Sequence, residues 1–165
     1  MRQCFIFFLR VAAVGAILVG FFGQFVVIPV SAADEVDRFA AYAPYAVPYT
    51  VLAIAGVACV QVALVAVWVL LGMLRRDALF SATAFRWVDV IIGATVAATL
   101  LTAGVAVHLA LGDIPAPRGN MQLVGALGSA VVTAGGGAAF AMLLVLMRGL
   151  LRKATDLQTE MSAVV

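Results

Sequence analysis

Four long apolar stretches, separated by short charged or proline-rich breaks, organise this chain. Apolar runs near 11–30, 49–74, 88–111 and 120–147 are each long enough to cross a membrane. A helix rises ~1.5 Å per residue, so roughly 20 residues span a hydrocarbon core of about 30 Å. The pattern predicts an all-α protein, a single membrane domain in which four transmembrane helices form a bundle. Span two is expected to begin at Tyr49, with Pro48 in its first turn, and to stop at Arg75, Arg76 and Asp77. The segment from Ser31 to Pro48 reads as a loop, polar first and then rich in tyrosine and proline. Residues 77–87 read as a second link, with Phe80, Phe85 and Trp87 as apolar anchors and Ser81 as an N-cap for a short turn. Residues 112–119 read as a tight loop stiffened by Pro115 and Pro117. Beyond span four, a tail over 148–165 keeps helical periodicity. Leu150, Ala154, Leu157, Met161 and Val164 fall on one stripe, away from Arg152, Lys153, Asp156 and Glu160.

The cations set an orientation. Arg2, Arg10, Arg75, Arg76, Arg86, Arg148, Arg152 and Lys153 gather on one side, and Arg38 and Arg118 on the other, together the ten Lys and Arg of the chain. With loops this short, the basic side is expected to be cytoplasmic, so both termini face inward. Ser31-Ala32-Ala33 before Asp34 also resembles a signal-peptidase site, and cleavage there would leave three spans. The apolar run of about 20 residues exceeds the ~7–15 of a typical signal core, so span one is expected to be retained.

Composition agrees with lipid as the main solvent. The chain is 65% hydrophobic and 11% charged, against about a quarter charged in soluble domains. Its cations flank apolar spans and line no soluble face, which argues against direct nucleic-acid binding. Cys4 and Cys59 fall at different depths and are expected to be free thiols. No Asp, Glu, Lys or Arg lies in the central part of any span, although proton-coupled transporters normally need one there. A nucleophile–base pair, a phosphate loop and a metal cluster are likewise missing from the sequence. The expectation is a non-enzymatic protein with no cofactor.

The remaining candidates are polar or small residues within the spans. Gln24, Gln61, Thr95, Thr99 and Thr102 are expected to bond across helices or back to helix carbonyls. His108, near the end of span three and five residues before Asp113, reads as an interfacial, hydrogen-bonded histidine. Arg86 is placed to pair with Asp89. Small residues recur every fourth position: Ala12, Ala16 and Gly20; Ala94, Ala98, Thr102, Ala106 and Ala110; Gly125, Ser129, Thr133, Gly137 and Ala141. These are helix-packing candidates, within the bundle first and as a homo-oligomer seam second. Gly135-Gly136-Gly137 reads as close packing with a mild kink, or alternatively as a flexible wall.

Leu79-Phe80-Ser81, Phe85-Arg86-Trp87-Val88-Asp89 and Ile91-Ile92-Gly93 resemble the link between the second and third helices of a bacterial family called domain of unknown function 2975. Leu150-Leu151-Arg152-Lys153-Ala154, with Leu157, Gln158 and Glu160, is similar to that family's ending. The resemblance extends over nearly the full chain in span order and spacing. It implies a four-helix protein of the bacterial inner membrane, often encoded beside a small helix-turn-helix transcription regulator. The leading expectation is a protein whose cytoplasmic link and tail meet that regulator. Arg75, Arg76, Arg86, Arg152 and Lys153 are the candidate contacts to the partner or to anionic lipid. The alternative is a small channel or transporter subunit for apolar or cationic compounds.

Overall fold

The computed structural model describes residues 2–74, 82–112 and 120–162. The described residues are almost wholly helical: α1 (Arg2–Phe22), a π-helical turn (Gly23–Val27), α2 (Ile28–Arg38), a 3-10 turn (Ala40–Tyr42), α3 (Ala43–Leu74), α4 (Ala82–Leu111) and α5 (Asn120–Ser162). Four helical rods are long and apolar enough to cross a membrane: Cys4–Arg38, Ala40–Leu74, Thr83–Leu111 and Asn120–Thr155. They form a bundle in chain order. α1 and α2 pack on α3, α3 on α4, and α4 on α5, while α1 does not pack on α5.

The interior is thin and built of small residues. Ala13, Ala66, Ala84, Ala106, Ala130 and Ala141 are buried, and among the described residues no large side chain is fully buried. Large apolar side chains point outward instead, Phe25 at 76% exposure and Val132 at 74%. Lipid tails are as apolar as leucine, so such residues gain little by turning inward, and small residues let backbones approach.

The packed faces step alternately by four and three residues. On α1 the seam runs Ile6, Arg10, Ala13, Ile17, Gly20, Gln24. On α5 it runs Leu123, Leu127, Ala130, Ala134, Gly137, Ala141, Leu144, Arg148. A heptad step averages 3.5 residues and keeps a stripe facing one partner, whereas a strict step of four rotates it by about 40° each time. The small-residue ladders of α1 and α5 therefore wind off the seam. Gly125, Ser129 and Thr133 are exposed, and only Gly137 and Ala141 of that ladder meet α4. Ala12 and Ala16 are exposed too.

Two boundaries differ from the sequence expectation. The segment from Ser31 to Pro48 is mostly helix, because α2 continues to Arg38 and α3 starts at Ala43. Ile28, Ala32 and Val36 form an apolar stripe at helical spacing on α2, with Asp34, Asp37 and Arg38 exposed beside it. The rod is widened at Gly23–Val27, where Ile28 N–H donates to Gly23 O. Pro29 explains the widening: it offers no N–H, and its ring would strike the Phe25 carbonyl in a regular helix. The second difference is α4, which starts at Ala82 and takes up Phe85, Arg86 and Trp87. Asp77, Phe80, Ser81 and the loop with Asp113, Pro115, Pro117 and Arg118 lie outside the described residues.

Candidate functional sites at the two ends of the bundle

Two glutamines lock the first rod to α3. Gln24 Nε2 donates to Ile54 O at 3.1 Å, and Gln61 Nε2 donates to Ile17 O at 3.3 Å. Both side chains are buried. Each sends its amide to the other helix, seven residues apart on both, so the pair fixes the antiparallel register. Gly20 makes room, since a methyl group there would sit 2.8 Å from Gln61 Nε2. The threonines of α4 behave differently. Thr95, Thr99 and Thr102 donate back to the Ile91, Thr95 and Ala98 carbonyls of their own helix. Gly137 faces Thr99 directly, while Gly135 and Gly136 meet open space. The helix runs unbroken through this triplet.

Because the rods alternate in direction, most of the described basic residues collect at one end, with Arg38 at the other. Arg10 lies across α3 with its guanidinium carbon 4.2 Å from the Trp68 ring centroid. Gly72 leaves space for it: an added Cβ would stand 3.0 Å from Arg10 Nη2. The ring face offsets part of the cost of placing a cation near lipid. Asp89 pairs across to α5 and not with Arg86. Arg148 Nη2 donates to Asp89 Oδ2 at 2.8 Å, and Nε stands 2.6 Å from Oδ1. The antiparallel seam carries Arg148 to that position, and its planar guanidinium suits a two-point approach to a carboxylate. Arg86, Arg152 and Lys153 are exposed at the same end; Arg75 and Arg76 lie outside the described residues. Leu150, 66% exposed, and Leu151, 43% exposed, sit beside these cations.

The opposite end is aromatic and acidic. Tyr49 Oη and His108 Nδ1 are 2.8 Å apart, a hydrogen bond joining α3 to α4. Tyr45 and Tyr49 both pack edge-on to the imidazole, with ring centroids 6.2 and 5.7 Å away. Next to this cluster is a cavity of about 560 Å³ between α2, α3, the end of α4 and the start of α5. Tyr42, Tyr45, Tyr49 and Glu35 line it on one side, Leu109, Leu123 and Ala126 on another. It lies where α2 packs on α3 and α5 packs on α4, while among the described residues α2 and α5 do not pack on each other. Sequence reasoning put Tyr42 and Tyr45 in a loop and Tyr49 at the start of span two, and did not foresee the cavity. The signal was present: Tyr42, Tyr45 and Tyr49 recur at helical spacing, and Ile28, Ala32, Glu35 and Val36 form the matching face.

Cys4 and Cys59 are free. Residues 30–165 match the model of the family described as "Protein of unknown function (DUF2975)". The match covers α3, α4, α5 and most of α2, and leaves out α1. No match was found among curated proteins or among solved structures.

Proposed function

The chain belongs to the family described as Protein of unknown function (DUF2975), and on that premise we propose that it is a non-enzymatic protein of the bacterial inner membrane that docks a cytoplasmic partner. The partner is a small helix-turn-helix regulator, and the docking surface is the arginine-rich end. One observation carries this reading: α5 is a single helix of 43 residues. At ~1.5 Å per residue that is about 64 Å, roughly twice the thickness of a hydrocarbon core. Its far end therefore projects beyond the apolar region and presents Leu150 and Leu151 beside exposed Arg152 and Lys153. An apolar strip edged by cations suits an acidic, partly apolar protein surface. In this orientation both termini are cytoplasmic, with the basic end inside.

Co-purification tests the reading. The full chain, extracted in detergent with the adjacent regulator, is expected to retain it. Arg152→Glu with Lys153→Glu is expected to release it, while helix content and yield stay constant. Anchoring to anionic lipid is the competing use of these cations. Regulator recovery that the charge reversal leaves unchanged would refute the docking reading.

A further inference from the structure

Arg10 has no task in that docking reading, yet its setting is specific. Gln24 meets Ile54 and Gln61 meets Ile17, a register that brings Arg10 opposite Trp68. Trp68 lies about 9 Å short of the end of α3 at Leu74, at ~1.5 Å per residue. The guanidinium rests on the Trp68 ring, 4.2 Å from its centroid, and Nη2 reaches the hollow at Gly72, nearer the helix end. Such a climb carries a charge to headgroup depth while its stem stays among apolar groups. Nε is buried, and among the described residues it meets no hydrogen-bond acceptor. Asp89, the carboxylate near the start of α4, is committed to Arg148. A cation set within the membrane layer and left without an anion marks a site for one.

We propose that Arg10, Trp68 and Gly72 hold the headgroup phosphate of one anionic phospholipid. Two phosphate oxygens match the fork of the guanidinium, which the indole keeps flat and in place. Phe7 and Val14 on α1 and Val65 on α3 are exposed within a turn of the site and offer an apolar bed for the acyl chains. A zwitterionic headgroup would bring its own ammonium toward Arg10, so the net negative lipid is preferred. The site belongs to the α1–α3 seam, and α1 does not pack on α5, so its occupancy is independent of partner docking.

Trp68 itself reports on the site. The chain has two tryptophans, so Trp87→Phe leaves Trp68 as the single indole. The full chain with Trp87→Phe is placed in phosphatidylcholine nanodiscs containing rising fractions of bromine-labelled phosphatidylglycerol, or of equally labelled phosphatidylcholine. Half-maximal quenching is expected at about fivefold less phosphatidylglycerol, the weight of one arginine against an anionic headgroup. Arg10→Gln should bring the two curves together. Gly72→Leu, which keeps the charge but fills the hollow, should do the same, and circular dichroism confirms that each variant is folded. Arg152→Glu with Lys153→Glu should leave the difference intact, and excess inorganic phosphate should not reverse the quenching. The proposal is overturned if the two lipids quench alike in the chain with Arg10 and Gly72 intact, or if folded Arg10→Gln keeps the full difference. Reversal by free phosphate overturns it too, as does loss of the difference in the α5 charge reversal, which would assign the preference to general surface charge.

Discussion

Gln61 lies so close over Gly20 that one added methyl group would stand 2.8 Å from its amide nitrogen. That nitrogen is the donor to Ile17 O. Gly20→Ala is therefore expected to push the amide off its acceptor, leaving the backbone in place because the end of Gln61 is free to move. The loss should match a single interhelical hydrogen bond in a membrane protein, about 0.6 kcal/mol and at most ~1.7. Gln61→Ala should cost a similar amount. The double variant should cost clearly less than the sum, since the small side chain removes both the clash and the bond. Unfolding in mixed micelles measures the cycle, and full additivity would show that the two residues do not interact.

Gly137 presents a harder contact. Its neighbour Thr99 is short and β-branched, and the hydroxyl in the way is already committed to Thr95 O. Gly137→Ala is expected to force α4 and α5 apart and to cost about 1–3 kcal/mol, the usual range for overpacking. Gly135→Ala and Gly136→Ala meet open space and should be neutral, or stabilising by at most ~1 kcal/mol through helix propensity. Thr99→Ala should restore Gly137→Ala. Equal losses at all three glycines would mean that the triplet serves flexibility and not packing.

The Asp89–Arg148 pair is partly exposed, 46% and 38% for the two side chains, so water screens much of its attraction. A double-mutant cycle with Asp89→Asn and Arg148→Gln should give a coupling of only about 0.2–1 kcal/mol. That coupling should shrink as salt is raised from 50 to 500 mM. A coupling that ignores salt would place the pair in a much drier setting than its exposure indicates.

The number and order of the rods were legible in the sequence, because long apolar runs and their charged ends are set by the lipid solvent itself. Span four ends and tail continue as one helix, as periodicity implied. What was not legible concerns phase. A ladder such as Gly125, Ser129, Thr133 and Gly137 looks like one face on paper, yet a packed stripe must follow a 3.5-residue step, so Leu127, Ala130 and Ala134 occupy the seam instead. The widened turn before α2, which Pro29 explains, leaves no mark in the apolar pattern. Asp89 looked local to Arg86 because spacing along one helix is visible, whereas its actual partner Arg148 is 59 residues away. The cavity was hidden for the same reason: Glu35, Tyr49 and Ala126 meet only once three helices are assembled.

Orientation is the premise on which the docking surface depends, and it yields a direct chemical test. Cys4 and Cys59 are replaced first, since both are free thiols, by Cys4→Ser and Cys59→Ala. Asp37, exposed near the end of α2, and Ala154, exposed on the projecting part of α5, then serve as single labelling sites. Their helices place them at opposite ends of the bundle, so one membrane-impermeant maleimide should distinguish them. Asp37→Cys is expected to react in intact cells, and Ala154→Cys only after the membrane is opened. The basis is the cation imbalance: Arg10, Arg86, Arg148, Arg152 and Lys153 all lie at the Ala154 end, and cations flanking short loops are retained on the cytoplasmic side. The reverse labelling pattern would place Arg152 and Lys153 outside the cell, out of reach of any transcription regulator.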